Sequence, residues 1–331
     1  MSLVLLQPTR LPLRDRDLPV TQGSPAPLLL ARRMAGGPAA TDLLDRLRAL
    51  PSPPSGTEQP EAADKARSYV YDDRLREYDA YFGVVRAGRH TDGVFARSLL
   101  IAYRSLLEEG LGAGTRLSWA DWSSLCSALR TMICLSTGVD ARPAAVPEPP
   151  LLRWHLDPLR RWRVGHHVFF ALTQCVIVAL QSFQSALEEA DMAAARRNLR
   201  LATRLLQASA AAFVFTAEFS ANQYHGGVRQ SMEAPFVTDG FSGLLSPDHQ
   251  YLVRLFARLR PALRGLPAEL AADHRAFARA LGTVYDSHKY VCRRFGGDTG
   301  PSLRTSDTTG LPAVSVLHAL KLARTRIVGR T

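Results

Sequence analysis

Lysine is nearly missing from this chain: Lys65, Lys289 and Lys321 are the only three among 41 basic residues, which face 30 acidic ones. The rest are arginines spread over the whole length in an Ala/Leu-rich background, so the formal charge of +11 is not gathered into a stripe. That argues against a nucleic-acid function, which needs clustered cations to displace phosphate counterions and aromatics to stack on bases. Cysteine is as sparse. Cys126, Cys134, Cys175 and Cys292 are scattered with no CxxC pair, which excludes a zinc knuckle or a disulfide framework. The first three sit among apolar neighbours, where a thiol behaves as a small hydrophobe, whereas Cys292 follows a histidine by four residues. No run of 18 or more apolar residues occurs, and the opening MSLVLLQPTRLPLRDRDLPV turns to charge and proline where a signal core would continue. The expectation is a cytoplasmic protein that meets neither membrane nor nucleic acid. Period-2 alternation is almost wanting too, which leaves an all-α class.

What is present is a 331-residue chain with 46% hydrophobic residues, enough for a substantial core. Residues 1–61 are proline-rich, ending in PSPPSGTEQPE, and are expected to be an N-terminal arm and linker around one helical domain of residues 62–331. Helical spacing of apolar residues predicts helices over Ala62–Val85, Phe95–Gly110 and the WADWSSLCSALRTMICLS segment. After a breaker cluster from Thr137 to Pro150 comes a long pair, about Trp162–Ala190 and Asp191–Phe219, with Asp191 as N-cap. A glycine-rich stretch from Tyr224 to Pro247 follows. Helices resume at Asp248–Arg260, at Pro267–Phe295 with Pro267 in the first helical position, and at Pro312–Ile327 after the loop FGGDTGPSLRTSDTTG.

The helix holding His288 is the most informative. Phe277, Leu281, Val284, His288, Val291 and Phe295 recur at three- and four-residue steps and turn His288 toward the core. A histidine so placed is ordinarily a hydrogen-bonded core residue. Cys292, one turn beyond on nearly the same face, changes its meaning: a thiol there reaches whatever the imidazole touches, and a haem vinyl is one such group. Ordinary c-type attachment uses CxxCH, so H-x-x-x-C allows at most one thioether.

The segment HKYVCRRFG, with the Ser/Thr/Gly loop ending DTTG and a terminal helix, resembles the tryptophan 2,3-dioxygenase superfamily, in which a proximal haem histidine is followed by an arginine, a glycine and a GTGG-like loop. Arg294 and Gly296 fit, while Leu311 stands where the last glycine belongs. Upstream, GHHVFFALTQCVIVALQSFQSALEEADMAAARRNLRLATRLL resembles the family's paired helices, which begin with a distal histidine; His166 or its neighbour His167 takes that position. FSANQYHGGVRQSM resembles the FLxFRDxL segment, making Arg229 the clamp for a substrate carboxylate, a task suited to a planar guanidinium. Thr309 is carried over as a hydroxyl partner of the amino-acid end, and His225 as a pocket-lining residue. The H-x(n)-H-x-x-x-C pattern, with His249 first, is similar to the haem-dependent tyrosine hydroxylase and 3-methyltyrosine hydroxylase group, in which that histidine can be a second axial ligand. Read without the resemblance, His249 is an exposed residue at a helix start and Arg229 a surface arginine.

The resemblance implies a tryptophan 2,3-dioxygenase-like bundle around a haem, ligated by His288 and attached through Cys292, with Arg294 nearby. It implies ring hydroxylation of L-tyrosine to L-DOPA in antibiotic-type metabolism, with hydrogen peroxide or dioxygen as oxidant. His166, His167 or His249 then moves a proton, a role suited to a group titrating near neutrality. Three alternatives stand beside it: hydroxylation of 3-methyl-L-tyrosine, dioxygenation of tryptophan or indole, and a helical haem-binding or DNA-binding regulator, which predicts no carboxylate clamp. A homodimer is the default assembly.

Overall fold

The computed structural model describes residues 2–18, 44–45, 47–49, 71–87, 93–140, 145–153, 155–297 and 312–328. Within these the chain is helical apart from one small sheet. The named helices are α1 (Asp73–Phe82), α2 (Val94–Ala113), α3 (Trp119–Thr137), α4 (Pro158–Glu188), α5 (Met192–Thr216), α6 (Pro247–Arg264), α7 (Ala271–Gly296) and α8 (Ala313–Val328).

The frame is the hairpin of α4 and α5, the most extensive helix pair in the structure, against which α2, α3, α6 and α7 pack, with α8 closing over α6 and α7. Local chemistry sets its ends. Asp157 caps α4 by accepting from the Leu159 and Arg160 amides, with Pro158 in the first turn, and Asp191 caps α5 by accepting from the Ala194 amide at 2.9 Å. Close approach of the two helices requires Gly165, since a Cβ there would lie 2.0 Å from Thr216 Oγ1. An 18-residue window of α4 is long and apolar enough to cross a membrane, yet 83% of it is buried inside the molecule, as befits a core helix.

Several expectations are corrected. The first predicted helix covers only Asp73–Phe82 among the described residues, and its last part is instead strand β2 (Val84–Ala87), which pairs in parallel with β1 (Leu3–Leu6) in the register Leu3↔Val84. Gly83, at φ 66°, stops the helix and lets the chain turn into the strand. β1 is part of the body, with Leu3 and Leu5 fully buried and Leu11 and Leu18 reaching the main core. α5 ends at Thr216, short of Phe219. Pro267 precedes a 3-10 turn, Ala268–Leu270, and the helix proper starts at Ala271.

Two buried ionic networks tie these elements together. Arg161 of α4 donates to Glu218 at 2.7 Å, to Glu109 of α2 at 3.2 Å and to the Gly114 carbonyl at 2.7 Å, and its guanidinium lies 4.0 Å from the centre of the Phe215 ring. Arg86 of β2 grips Asp79 of α1 through two hydrogen bonds, 2.8 and 2.9 Å, and pairs with Asp248 at 2.8 Å; Gln174 of α4 bridges Asp248 and the Leu6 carbonyl. Such pairs hold only while every partner stays, because a buried charge left alone costs about 3–5 kcal/mol.

Candidate functional site

The Asp248 lock fixes the first turn of α6, where Ser246 caps the helix by accepting from the His249 amide. His249 thereby enters the wall of a cavity of about 620 Å³, within the size range of small-molecule and cofactor sites. The wall is mostly aliphatic and aromatic. α4 contributes Trp162, His166 and Phe169, α5 Leu206 and Phe213, α7 Tyr285, His288 and Cys292, and α8 Val316, Leu317 and Leu320.

His288 presents its ring to this cavity, stacked on Phe213 with centroids 4.7 Å apart and planes 14° from parallel. Its nitrogens have no hydrogen-bond partner among the described residues, and neither have those of His249. Burial pulls both imidazoles down to about 4, with Arg324 adding to the shift of His249 and His249 to that of His288, so both are neutral, lone-pair donors at physiological pH. Cys292 lines the same wall one turn beyond His288, and burial pushes its thiol up to about 11.

His166 is held between Phe82, at 4.3 Å between ring centres, and Trp162, at 4.4 Å. Its Nδ1 donates to the Trp162 carbonyl at 2.7 Å. A carbonyl only accepts, so Nδ1 carries the proton and Nε2 keeps a lone pair. Burial pulls this histidine to about 3, against the pull of that carbonyl bond. His166 is therefore an uncharged acceptor rather than the group titrating near neutrality that the sequence suggested.

His167 is a different matter. One residue is 100° of helix, and this turns His167 away from the cavity, where it is 2% exposed and bonds the Phe82 carbonyl at 2.5 Å. It ties α4 to the end of α1. Arg294 is likewise outside the wall: it donates twice to the Phe219 carbonyl, at 3.3 and 3.0 Å, joining α7 to the segment after α5. Thr309 lies outside the described residues.

Between Tyr224 and Val228 the chain makes a single π-turn, a device frequent at functional sites. It places Tyr224, His225 and Arg229 in the cavity wall. The Tyr224 ring stacks on Phe295 at 4.2 Å and 6°. His225 bonds the Phe295 carbonyl at 2.7 Å through Nε2 and is otherwise exposed. Arg229 pairs through Nε with Glu233 Oε1 at 2.5 Å, and Glu233 also lines the cavity. Sequence reasoning passed over Trp162, Phe213, Tyr224 and Glu233. Glu233 alone left a signal, as an acidic residue one turn after Arg229.

The donor set fits a haem better than a bare ion. Among the described residues no group of three His, Cys, Asp or Glu side chains is placed to hold a metal ion, whereas a haem iron takes its equatorial ligands from the macrocycle and needs only one or two imidazoles from the protein. A largely apolar cavity with neutral, unpartnered imidazoles meets that need.

Comparison with known proteins agrees. A family described as SfmD 3-methyl-L-tyrosine peroxygenase matches residues 4–287, stopping one residue short of His288. A 3-methyl-L-tyrosine peroxygenase from Streptomyces lavendulae is 30% identical over 256 residues, 75% of this chain and 69% of that protein. A crystal structure of reduced SfmD, soaked with sodium hydrosulfite, superposes with a TM-score of 0.69 at 25% identity, covering 87% of this chain and 96% of the other. The cavity, its histidines and these likenesses together assign the chain to a family: it belongs to the SfmD 3-methyl-L-tyrosine peroxygenases.

Proposed function

We propose that this chain is a haem-dependent peroxygenase that hydroxylates the phenol ring of a tyrosine-type amino acid. The observation that carries the reading is the convergence of three uncharged imidazoles, His166, His249 and His288, on one apolar cavity beside Cys292. The activity named for the relatives supports 3-methyl-L-tyrosine as substrate ahead of L-tyrosine, the substrate expected from the sequence. It also favours hydrogen peroxide over dioxygen as oxidant.

His288 is the residue to ligate the iron, its ring fixed by Phe213, with His249 as the second imidazole within reach of the same cavity. Cys292, one turn beyond His288 on the same wall, would supply a single thioether. When bound, the haem supplies the oxidising chemistry for oxygen transfer from peroxide. The protein's own part is positional. His166 Nε2, unprotonated at neutral pH, would accept a hydrogen bond from hydrogen peroxide or from the substrate hydroxyl. Trp162, Tyr224 and Phe241 offer aromatic walls to the substrate ring, and the Arg229 guanidinium takes its carboxylate.

The test is to incubate the haem-loaded protein with 3-methyl-L-tyrosine and hydrogen peroxide and to follow products by mass. A peroxide-dependent product heavier by one oxygen, absent with His288→Ala, is expected, and L-tyrosine run in parallel ranks the two substrates. Products carrying two oxygens from tryptophan, with neither tyrosine consumed, would contradict the proposal.

A further inference from the structure

A cavity wall made of rings and aliphatic side chains says little about the polar end of its ligand, so its few charges are informative. Among the described residues that line the cavity, Arg229 is the only arginine or lysine and Glu233 the only carboxylate. The two charges are opposite and adjacent, 2.5 Å apart. Both side chains keep access to solvent, 26% for Arg229 and 47% for Glu233. The contact uses Nε of Arg229, which leaves the terminal nitrogens for the Tyr224 hydroxyl and for a second carboxylate.

An ion pair whose partners are both partly solvated contributes about 1 kcal/mol at most, so as a stabilising device this one does little. As a recognition device it does more. A wall whose one guanidinium lies beside its one carboxylate is the complement of a zwitterion: the carboxylate of an α-amino acid goes to Arg229 and the ammonium to Glu233, so that four charges alternate in sign. An anion lacking the ammonium meets the uncompensated Glu233 carboxylate, and a cation lacking the carboxylate meets the Arg229 guanidinium. Each is rejected by the charge that welcomes the other.

We infer that Glu233 is a specificity-determining residue that binds the substrate ammonium and, with Arg229, restricts the cavity to zwitterionic amino acids. The inference rests on the proposed reading of the cavity as an aromatic amino-acid site. In the empty state the same carboxylate satisfies Arg229 through Nε, and a ligand adds its carboxylate at the terminal nitrogens and its ammonium at Glu233.

Equilibrium dialysis with the full-length, haem-loaded protein tests this, using L-tyrosine and 3-methyl-L-tyrosine, 3-(4-hydroxyphenyl)propanoate, which lacks the amine, and tyramine, which lacks the carboxylate. Glu233→Gln is expected to weaken the amino acids about 10- to 100-fold, the worth of one charge-assisted hydrogen bond, and to leave the propanoate unchanged or tighter. Arg229→Gln is expected to do the reverse, weakening the amino acids while sparing tyramine. The preference for zwitterion over propanoate should therefore collapse in Glu233→Gln with an unchanged haem spectrum. If the wild type binds the amino acids and Glu233→Gln keeps both their affinity and their preference over the propanoate, the inference on Glu233 is overturned and the function stands. If the wild type binds neither amino acid, both are overturned.

Discussion

Burial of histidine gives the residue scale its sharpest consequence. His167 is 2% exposed, and burial pulls it to about 4, against about 6.5 in an unfolded chain. A histidine with a depressed folded pKa contributes full stability above its unfolded value and loses it as pH falls toward the folded one, because the unfolded chain binds the proton first. His166, His249 and His288 shift the same way. The haem-free protein should therefore begin to lose stability near pH 6.5, above the range in which carboxylates titrate, with His167 alone worth on the order of 2 kcal/mol at pH 5. Thermal denaturation between pH 7.5 and 4.5 checks this; a melting temperature flat down to pH 5 would refute it. In His167→Gln, which keeps a donor for the Phe82 carbonyl, the slope should be shallower.

At the scale of elements, the α4–α5 contact is the sensitive one. A methyl group at Gly165 meets not only Thr216 Oγ1 at 2.0 Å but the Thr216 Cα at 2.8 Å, so Gly165→Ala must push the helices apart. Overpacking of this kind costs about 1–3 kcal/mol. Adding Thr216→Ala should recover only part of the loss in a denaturant titration, since the backbone clash remains; full recovery would place the strain in the hydroxyl alone. Because α4 carries His166 and Thr216 itself lines the cavity, the single variant should also retain haem less well.

Much of this architecture could be read beforehand. A 3.6-residue period over long segments marked α2 to α7, and Asp191 announced the turn between α4 and α5, because such signals are local. The strands could not be read, being four residues each and paired across 81 positions, Leu3 with Val84. At the site, the face of α7 that bears His288 and Cys292 followed from spacing, whereas the resemblance offered His166 with its neighbour His167 as alternative, and it is His166 that lines the cavity. Arg294 matched a motif and turned out to serve the Phe219 carbonyl. The Arg161 and Arg86 networks join residues far apart in the chain, and no local pattern marks them.

The whole molecule is a frame that holds several imidazoles around one void. β1, Arg86 and Asp248 fix the start of α6 and so His249; α7 brings His288 and Cys292 from the opposite end of the sequence, and α8 closes the wall with Val316, Leu317 and Leu320. His166, His249 and His288 are neutral at neutral pH because burial disfavours their charged forms, and a neutral imidazole is what an iron ligand must be. Stability and cofactor binding thus have a common origin in the packing of α4 to α8.

The most direct test of this account is the absorption spectrum of the purified full-length protein, followed by acid denaturation and extraction of the haem. A Soret band lost in His288→Ala is predicted, with haem that stays on the polypeptide after denaturation in the wild type and extracts freely from Cys292→Ala. A protein that takes up no haem when haem is supplied in excess, or whose Soret band is unchanged by His288→Ala, would contradict the account at its centre.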